Sequence, residues 1–497
     1  MTEAVSVSLM RKSDENTIES EIPSKELMYR AGEGIVDSVK WHGKILIACG
    51  TGNNAGDGYV VASILKSKGA CVELMLLAER FSPDGKYYFD RCLSQNVPWS
   101  VYNLQKLDGY DIIVDCIFGT GYKGEVDGSA RDLIKAINES GAYVVSADIN
   151  SGLNGDSGLG NLCVNSDLTV SIGSFKSGHF LGRAKDVIGR AVNVDIGIRL
   201  IDKPYYLLGS CDVQPLLSPR LNFSHKGSYG YVTLIGGSLE YSGAVKLASL
   251  SASAMRAGAG VVRLAVPKSL CRSIMPHILE STLFPLDEDD GAVKFDENKI
   301  QGALNNAKSV AIGMGLGVRG DNERIIEYVL KNYRIPVIID ADGLNTLSKM
   351  DCGLIKDSQC TVVLTPHMKE FERLIGVPIS QIQENPIEYA KEYAKKTGVI
   401  LLLKGQTTII TDGDTVLLSN TGCAGMATAG SGDVLSGIVA ALCASRENIL
   451  MAVAAGAYIN GLAGEMAQAE YGDISMVASD TASYIPRAIK KIKEPTV

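Results

Sequence analysis

The chain has no C-x-x-C pair. Its 11 cysteines are odd in number and scattered, which argues against a disulfide framework. It points to reduced thiols, with Cys49 and Cys116 expected on buried strands. The five histidines form no metal-ligand cluster. No basic block of nucleic-acid type interrupts a chain of net charge −8, so no nucleic-acid partner is expected. The runs KSK at 66–68 and IKKIK at 489–493 read as solvated helix faces. The polar, charged N-terminus through Glu26 lacks the apolar core of a secretion signal. The longest apolar helical stretch, about 434–444, stops at Arg446-Glu447 and is too short to span a bilayer. The expected setting is the cytoplasm, with no membrane partner. Short-period repeats and low-complexity tails are also missing.

What remains is an alternation of apolar runs and helical segments in a chain of 497 residues, long enough for two domains. An amphipathic helix is expected over 24–39, with Ser24 as its N-cap and Leu27, Met28, Ala31, Ile35 and Val39 at helical spacing. Apolar runs follow at 44–49, 72–78, 111–118, 143–149 and 168–173, with helices at 57–68 and 129–140. Such runs separated by helices predict a parallel sheet covered on both faces. The pattern breaks over 200–222, where proline-containing sequence has no clear period. A second alternation then puts strands at 231–235, 261–266, 309–314, 336–340, 361–364, 399–404 and 407–411. Helices are expected at 243–257, 321–332, 433–444 and 449–468. The expected fold class is α/β in two domains, residues 1–211 and 212–497.

Three strand ends in the first half carry polar groups. CGTGNNAGDGYVVAS at 49–63 turns through glycines and offers the amides of Asn53 and Asn54, with Asp57 able to cap the next helix. The usual dinucleotide fingerprint G-x-G-x-x-G is absent from this turn. VDCIFGTGYKGEV at 114–126 ends a strand with Asp115 and loops through three glycines around Lys123. SADINSGLNGDSG at 146–158 ends the next strand with Asp148 and then places Ser151. Ligands of open parallel sheets bind at the carboxyl ends of strands, so these three loops should meet.

The second half repeats the pattern with different chemistry. HKGSYGYVTLIGGSLEYSGA at 225–244 and GMGLG at 313–317 put small residues at strand ends. IIDADGLN at 338–345 puts Asp340 and Asp342 just past a strand, and LTPHMKEFERL at 364–374 presents His367, a helix cap or a ligand contact. LLLKGQTTII at 401–410 sets Lys404 before Thr407 and Thr408, a point charge and two hydroxyls suited to phosphate. In TAGSGDVLSG at 428–437, a loop without bulky side chains runs into an apolar helix that begins near Asp433. Backbone N–H groups there can close on an anion, aided by the helix dipole. A carboxylate beside that anion hole suits phosphate-assisted chemistry on an alcohol.

Residues 10–210 resemble the YjeF N-terminal domain, the NAD(P)H-hydrate epimerase, on the strength of the three first-half loops. Residues 215–490 resemble the ribokinase-like superfold, and more closely the YjeF C-terminal domain, the ADP- or ATP-dependent NAD(P)H-hydrate dehydratase. The first resemblance implies a Rossmann-like doubly wound sheet with potassium on Asn54, Asp115 and Ser151. It implies a substrate site at Asn53, Asn54, Ala55, Gly56, Asp57, Gly119, Thr120, Gly121, Tyr122, Lys123, Gly124, Glu125 and Asp148, with Asp148 and Lys123 as the acid–base pair. The second implies nucleotide binding by Lys404, Gly405, Gln406, Thr407, Thr408 and Gly432. It implies hydrate contacts from Ala244, Gly315, His367 and Asp433, with Asp433 as catalytic base and magnesium screening the phosphates. The implied partners are the NADH and NADPH hydrates and ADP or ATP, in a homo-oligomer. Where the families usually have other residues, this chain has Ala55, Asn150, Met368, Lys369, Cys423 and Ala424. Two other readings are a small-alcohol kinase in the second half and a non-catalytic nucleotide-binding module in the first.

Overall fold

The computed structural model describes residues 1–252, 256–351 and 353–494; the expected end of helix 243–257 thus lies partly outside the described residues. The chain forms two compact units, Glu3–Tyr205 and Tyr206–Val497 with Met1–Thr2.

The first unit is built on a seven-stranded sheet. Its strands lie in the order Trp99–Val101, Cys71–Leu76, Lys44–Cys49, Ile112–Cys116, Tyr143–Ala147, Ser166–Ile172 and Ile188–Val194, and every pair is parallel. Strand order reverses between Lys44–Cys49 and Ile112–Cys116, so the loops leaving these neighbours diverge and open a crevice at their carboxyl ends. The central strands bury nearly every side chain, as continuous apolar runs in a parallel sheet should. Helix Ser24–Ser38 matches its expected span, although Pro23 rather than Ser24 takes the cap position. Helix Asn53–Ser67 starts four residues before the expected 57, capped by Gly52; Asp57 lies in its second turn and caps nothing. Helix Val7–Ser20, unread in the sequence, is capped by Ser6, whose hydroxyl accepts from Leu9 N–H at 3.1 Å.

The second unit orders its parallel strands Thr282–Leu286, Val261–Pro267, Tyr231–Ile235, Ser309–Ile312, Val337–Ile339, Val362–Leu364 and Ile400–Leu403. Antiparallel strands Thr408–Thr411 and Val416–Ser419 extend it. Helices Ser431–Cys443 and Ile449–Tyr471 are apolar on nearly all sides and pack into the main core cluster. The 23-residue helix Ile449–Tyr471 is long and apolar enough to cross a bilayer, and exceeds the 434–444 stretch expected to be the longest apolar helix. In this fold 67% of its most apolar window is buried against its own unit, so its composition is that of a core helix.

Candidate active sites

In the first unit the chain leaves strand Lys44–Cys49 through Gly50. A Cβ there would stand 1.9 Å from the carbonyl oxygen of Ile117, so no side chain fits where the two diverging loops touch. The turn delivers Asn54 into the crevice. Both polar atoms of its amide are buried and have no hydrogen-bond partner. Ala55 and Gly56 continue the helix into the core: Ala55 takes a negative φ and no strain, and a Cβ on Gly56 would meet the Met28 sulfur at 2.5 Å.

Asp115 ends the neighbouring strand and is fully buried. Its carboxylate accepts from Ser151 Oγ at 2.5 Å, Ser151 N–H at 2.9 Å, Ser146 Oγ at 2.9 Å and Ile117 N–H at 3.2 Å. Burial pushes its pKa up, opposed chiefly by the Ser151 hydrogen bonds. No cationic side chain among the described residues pairs with it. Asn150 is fully buried and holds this wall by donating to the Val164 and Val187 carbonyls at 2.8 and 3.0 Å.

Asp148 follows the next strand with φ 63°, a conformation that costs an aspartate about 1 kcal/mol and is held by its surroundings. Lys176 Nζ donates to its Oδ1 at 2.5 Å and Thr120 N–H to its Oδ2 at 3.3 Å. Burial alone would raise the Asp148 pKa, but the Lys176 charge and hydrogen bond outweigh it and the net shift is downward. Lys176 is 1% exposed and also donates to the Ile172 carbonyl at 2.8 Å. His179 Nε2 lies 2.7 Å from the Asp148 carbonyl; burial and then Lys176 push its pKa down to about 4, so it stays neutral and donates there.

Asn54, Asp148 and Lys176 border a cavity of about 760 Å³. Asn53, Asn54, Asp57, Gly119, Thr120, Gly121, Tyr122 and Asp148 line it, as does one face of helix Val7–Ser20. Burial, followed by Asp148, holds the Asp57 carboxyl well above its usual range. Lys123, Gly124 and Glu125 are exposed and do not line the cavity. Lys123, expected opposite Asp148, is therefore not brought there; Lys176 is. The missed signal was the string FKSGHF at 175–180, which follows an apolar strand as the other site loops do.

In the second unit, parallel register pairs Ile339 with Leu364 and Leu364 with Leu401, and a further parallel bridge sets His367 beside Lys404. Asp340 is 1% exposed, accepting from Lys404 Nζ at 2.8 Å and from Ser436 Oγ at 2.7 Å. Ala341 beside it has φ 49° and ψ −118°, a strained backbone that turns Asp342 into the next helix. Asp342 accepts the Gly317 N–H at 2.8 Å. His367 is the N-cap of helix Met368–Ile375: its Nδ1 accepts from Lys369 N–H at 3.1 Å and Glu370 N–H at 3.2 Å. That assigns the ring proton to Nε2, which faces Glu370 Oε1 at 3.4 Å. Met368 and Lys369 simply begin this helix. Glu370 also accepts the His367 N–H at 2.9 Å and lies 3.8 Å from Lys404 Nζ. Burial works against a charge on Lys404, but Asp340 and Glu370 outweigh it and its pKa goes up.

Asp433 sits in the first turn of helix Ser431–Cys443, which starts from Gly430 at φ 94°. Burial, then the negative charge of Asp340, pushes its carboxyl up to about 7. A Cβ on Gly432 would lie 3.2 Å from Lys404 Nζ and 3.6 Å from Asp340 Oδ2, so the helix start, the lysine and the aspartate converge. Gly315, at φ 67°, lies against Ala244: a Cβ would meet the Ala244 Cβ at 3.0 Å. Thr407 is buried and donates to Asn420 Oδ1 at 2.7 Å, while Thr408 pairs with Ser419 in the sheet; Gly405 and Gln406 are exposed. The loop carrying Cys423 and Ala424 is pinned to helix Ile449–Tyr471, where Glu465 and Gln468 accept from Gly422 N–H and Gly425 N–H, each at 2.9 Å. Sequence reasoning missed Glu370 and Ser436; Glu370 stands three residues after His367, the spacing of a capping box.

Residues 232–487 match the family model described as NAD(P)H-hydrate dehydratase, and residues 24–178 match that of the YjeF-related protein N-terminus. The chain is 35% identical over 500 residues to the bifunctional NAD(P)H-hydrate repair enzyme of Moorella thermoacetica, covering 95% of this chain and 94% of the relative. It is 32% identical to the enzyme of that name from Coxiella burnetii, covering 95% and 96%. The structure of the ADP/ATP-dependent NAD(P)H-hydrate dehydratase of Bacillus subtilis, co-crystallised with ATP/Mg2+, superposes with a TM-score of 0.51 at 29% identity, covering 58% of this chain and 99% of that one. A ribokinase-like superfamily protein of Enterococcus faecalis, 23% identical over 60% of this chain and 99% of its own, superposes with a TM-score of 0.52 and shares the fold of the second unit.

Proposed function

We propose a division of labour for a chain that belongs to the family of bifunctional NAD(P)H-hydrate repair enzymes. Residues 1–211 interconvert the R and S hydrates of NADH and NADPH, and residues 212–497 dehydrate the S hydrate at the expense of ADP or ATP. The setting is the cytoplasm, and the working form is a homo-oligomer.

The observation that carries the dehydratase reading is the Asp433 carboxyl, raised to about 7 in the first turn of a helix whose Gly432 packs against Lys404. A general base works best when its pKa lies near the operating pH. Asp433 takes the proton of the hydrate hydroxyl, and that oxygen attacks the terminal phosphorus of ADP or ATP. The P–O bond to the leaving nucleotide breaks. The phosphorylated hydrate then loses phosphate, a far better leaving group than hydroxide, together with a ring proton, and the nicotinamide double bond returns. Lys404 and the N–H groups at the helix start meet the charge on the transferring phosphoryl group. His367, Ala244 and Gly315 shape the hydrate pocket; Gly405, Gln406, Thr407 and Thr408 form the nucleotide side.

Magnesium on the nucleotide would screen the phosphate charges. The donor set fits an ion held mostly by phosphate and water. Asp340 is committed to Lys404 and Ser436, so Asp342 is the carboxylate left to take part; its Oδ1 has only a 3.4 Å contact with Asn345.

In the first unit, Asp148 and Lys176 are the acid–base pair that moves protons during inversion. The residues also fit potassium. Asn54 has a buried, unpartnered amide, and the Asp115 carboxylate is buried without a cation. Asn54, Asp115 and Ser151 would hold the ion, whose charge would balance Asp115 and fix the two loops.

The test is recovery of NADH, read by its near-ultraviolet absorbance, from a mixed R/S hydrate with no nucleotide, with ADP and with ATP. Nucleotide-dependent recovery from both epimers is the expected result. Recovery that stops when the S form is spent removes the epimerase. A phosphorylated product that accumulates in place of free phosphate and NADH makes the second unit a kinase.

A further inference from the structure

Helix Val7–Ser20 matches no motif used so far, yet it forms one wall of the first cavity through Met10, Arg11 and Asp14. The wall chemistry is unbalanced. Asp14, Glu15, Asp57, Asp84 and Asp148 line the cavity, against two cations, Arg11 and Lys176. Lys176 is committed to Asp148 and to the Ile172 carbonyl. Arg11 is exposed, and no hydrogen bond or ion pair holds it among the described residues, although Asp14 and Glu15 follow at helical spacing. Its guanidinium lies over the glycine loop: a Cβ on Gly121 would stand 3.9 Å from Nη2.

Across the same cavity, helix Asn53–Ser67 starts from Gly52 with no side-chain cap, and Gly52, Asn53 and Asn54 at that start line the cavity. Beside them the buried Asn54 amide has no partner. A dinucleotide hydrate brings a pyrophosphate, and a cavity so rich in carboxylates repels that charge unless a cation meets it.

We propose that Arg11 holds the pyrophosphate of the dinucleotide hydrate against loop 119–121 and the start of helix Asn53–Ser67. This rests on the epimerase reading above. Arg11 suits the role because its planar fork pairs two phosphate oxygens at once. Its position sets the direction of the substrate, with the phosphates under the N-terminal helix and the nicotinamide ring toward Asp148 and Lys176.

The experiment compares wild type, Arg11→Ala and Arg11→Lys as full chains without ADP or ATP, so that dehydration is idle. Interconversion of the R and S epimers is followed by chromatography for the NADH and NADPH hydrates separately. Arg11→Ala is expected to raise KM roughly 10- to 100-fold for both hydrates, with kcat close to wild type. Arg11→Lys should recover part of the loss, because the charge stays and the fork is gone. An unchanged KM for both hydrates would overturn the proposal. A rise confined to the NADPH hydrate would also overturn it, moving the guanidinium to the 2′-phosphate. A wild-type protein that does not accelerate interconversion at all sinks the epimerase reading, and the proposal with it.

Discussion

The two sites obey one topological rule and opposite electrostatic ones. Both gather loops at the carboxyl ends of parallel strands, and both hold an aspartate against a lysine at hydrogen-bond distance. In the first unit the pair is Asp148 with Lys176, and the lysine keeps charged the carboxylate proposed to react. In the second the pair is Asp340 with Lys404, and the carboxylate proposed to react is a third party. Asp433 feels burial and the negative Asp340 before it feels Lys404, so its pKa rises to about 7. Whether a buried lysine lowers an aspartate's pKa thus depends on which aspartate it touches.

The sharpest way to break this contrast is to remove each carboxylate or its partner. Asp433→Asn should cut dehydration by about 10²- to 10⁴-fold, the usual size of general-base catalysis, and leave epimerisation intact. Loss of both activities would mean the sites are coupled. The same variant should be more stable than wild type above neutral pH, measured by thermal melting. A carboxyl raised in the fold binds its proton more tightly there than in the unfolded chain, so wild-type stability falls as pH rises toward 7, and asparagine escapes that loss.

Lys176→Met should lower epimerisation by about 10²-fold or more and also lower the melting temperature, because Asp148 is left buried without its cation. Lys123→Ala is the control: epimerisation should stay within about twofold of wild type, since its exposed side chain resembles an ordinary surface position. A collapse of activity in Lys123→Ala, with Lys176→Met active, would reverse the assignment.

The pH profile sharpens the same comparison with a smaller effect. Dehydratase kcat/KM should rise about tenfold per unit below pH 7 and level off above it, as Asp433 loses its proton. Epimerase activity should not show that inflection, because the Asp148 pKa lies below the usual carboxylate range. Smallest is Glu370→Gln. It removes the negative charge beside the His367 ring and Lys404, and should change KM by about fivefold, the worth of one weak polar contact. The pH midpoint should stay, because the charges that shift Asp433 are Asp340, Lys404 and Asp342.

Much of the site was legible because glycine loops at strand ends carry their function in composition. Asn54, Asp115, Ser151, Asp148, His367, Lys404 and Asp433 were all readable as polar groups set beside small residues after apolar runs. Lys176 was not, because it looks like a surface lysine until the fold buries it. Arg11 was not, because the polar segment around it carries no motif. Ser436 was hidden as one small residue among many in helix Ser431–Cys443.

The sequence by itself determined the alternation of strand and helix, the two-domain plan, the glycine turns that no other residue could make, and membership of a repair family. Those follow from local rules, hydrophobic period and backbone freedom, which a chain carries wherever it is folded. Only the tertiary structure decided which lysine meets Asp148, which helix walls the first cavity, and that Asp433 holds its proton near neutrality. Each of these depends on burial and on distances between groups far apart in the chain, such as the 64 residues separating Lys404 from Asp340. Coulomb energies and desolvation act through space, and neither is a property of any local stretch of sequence.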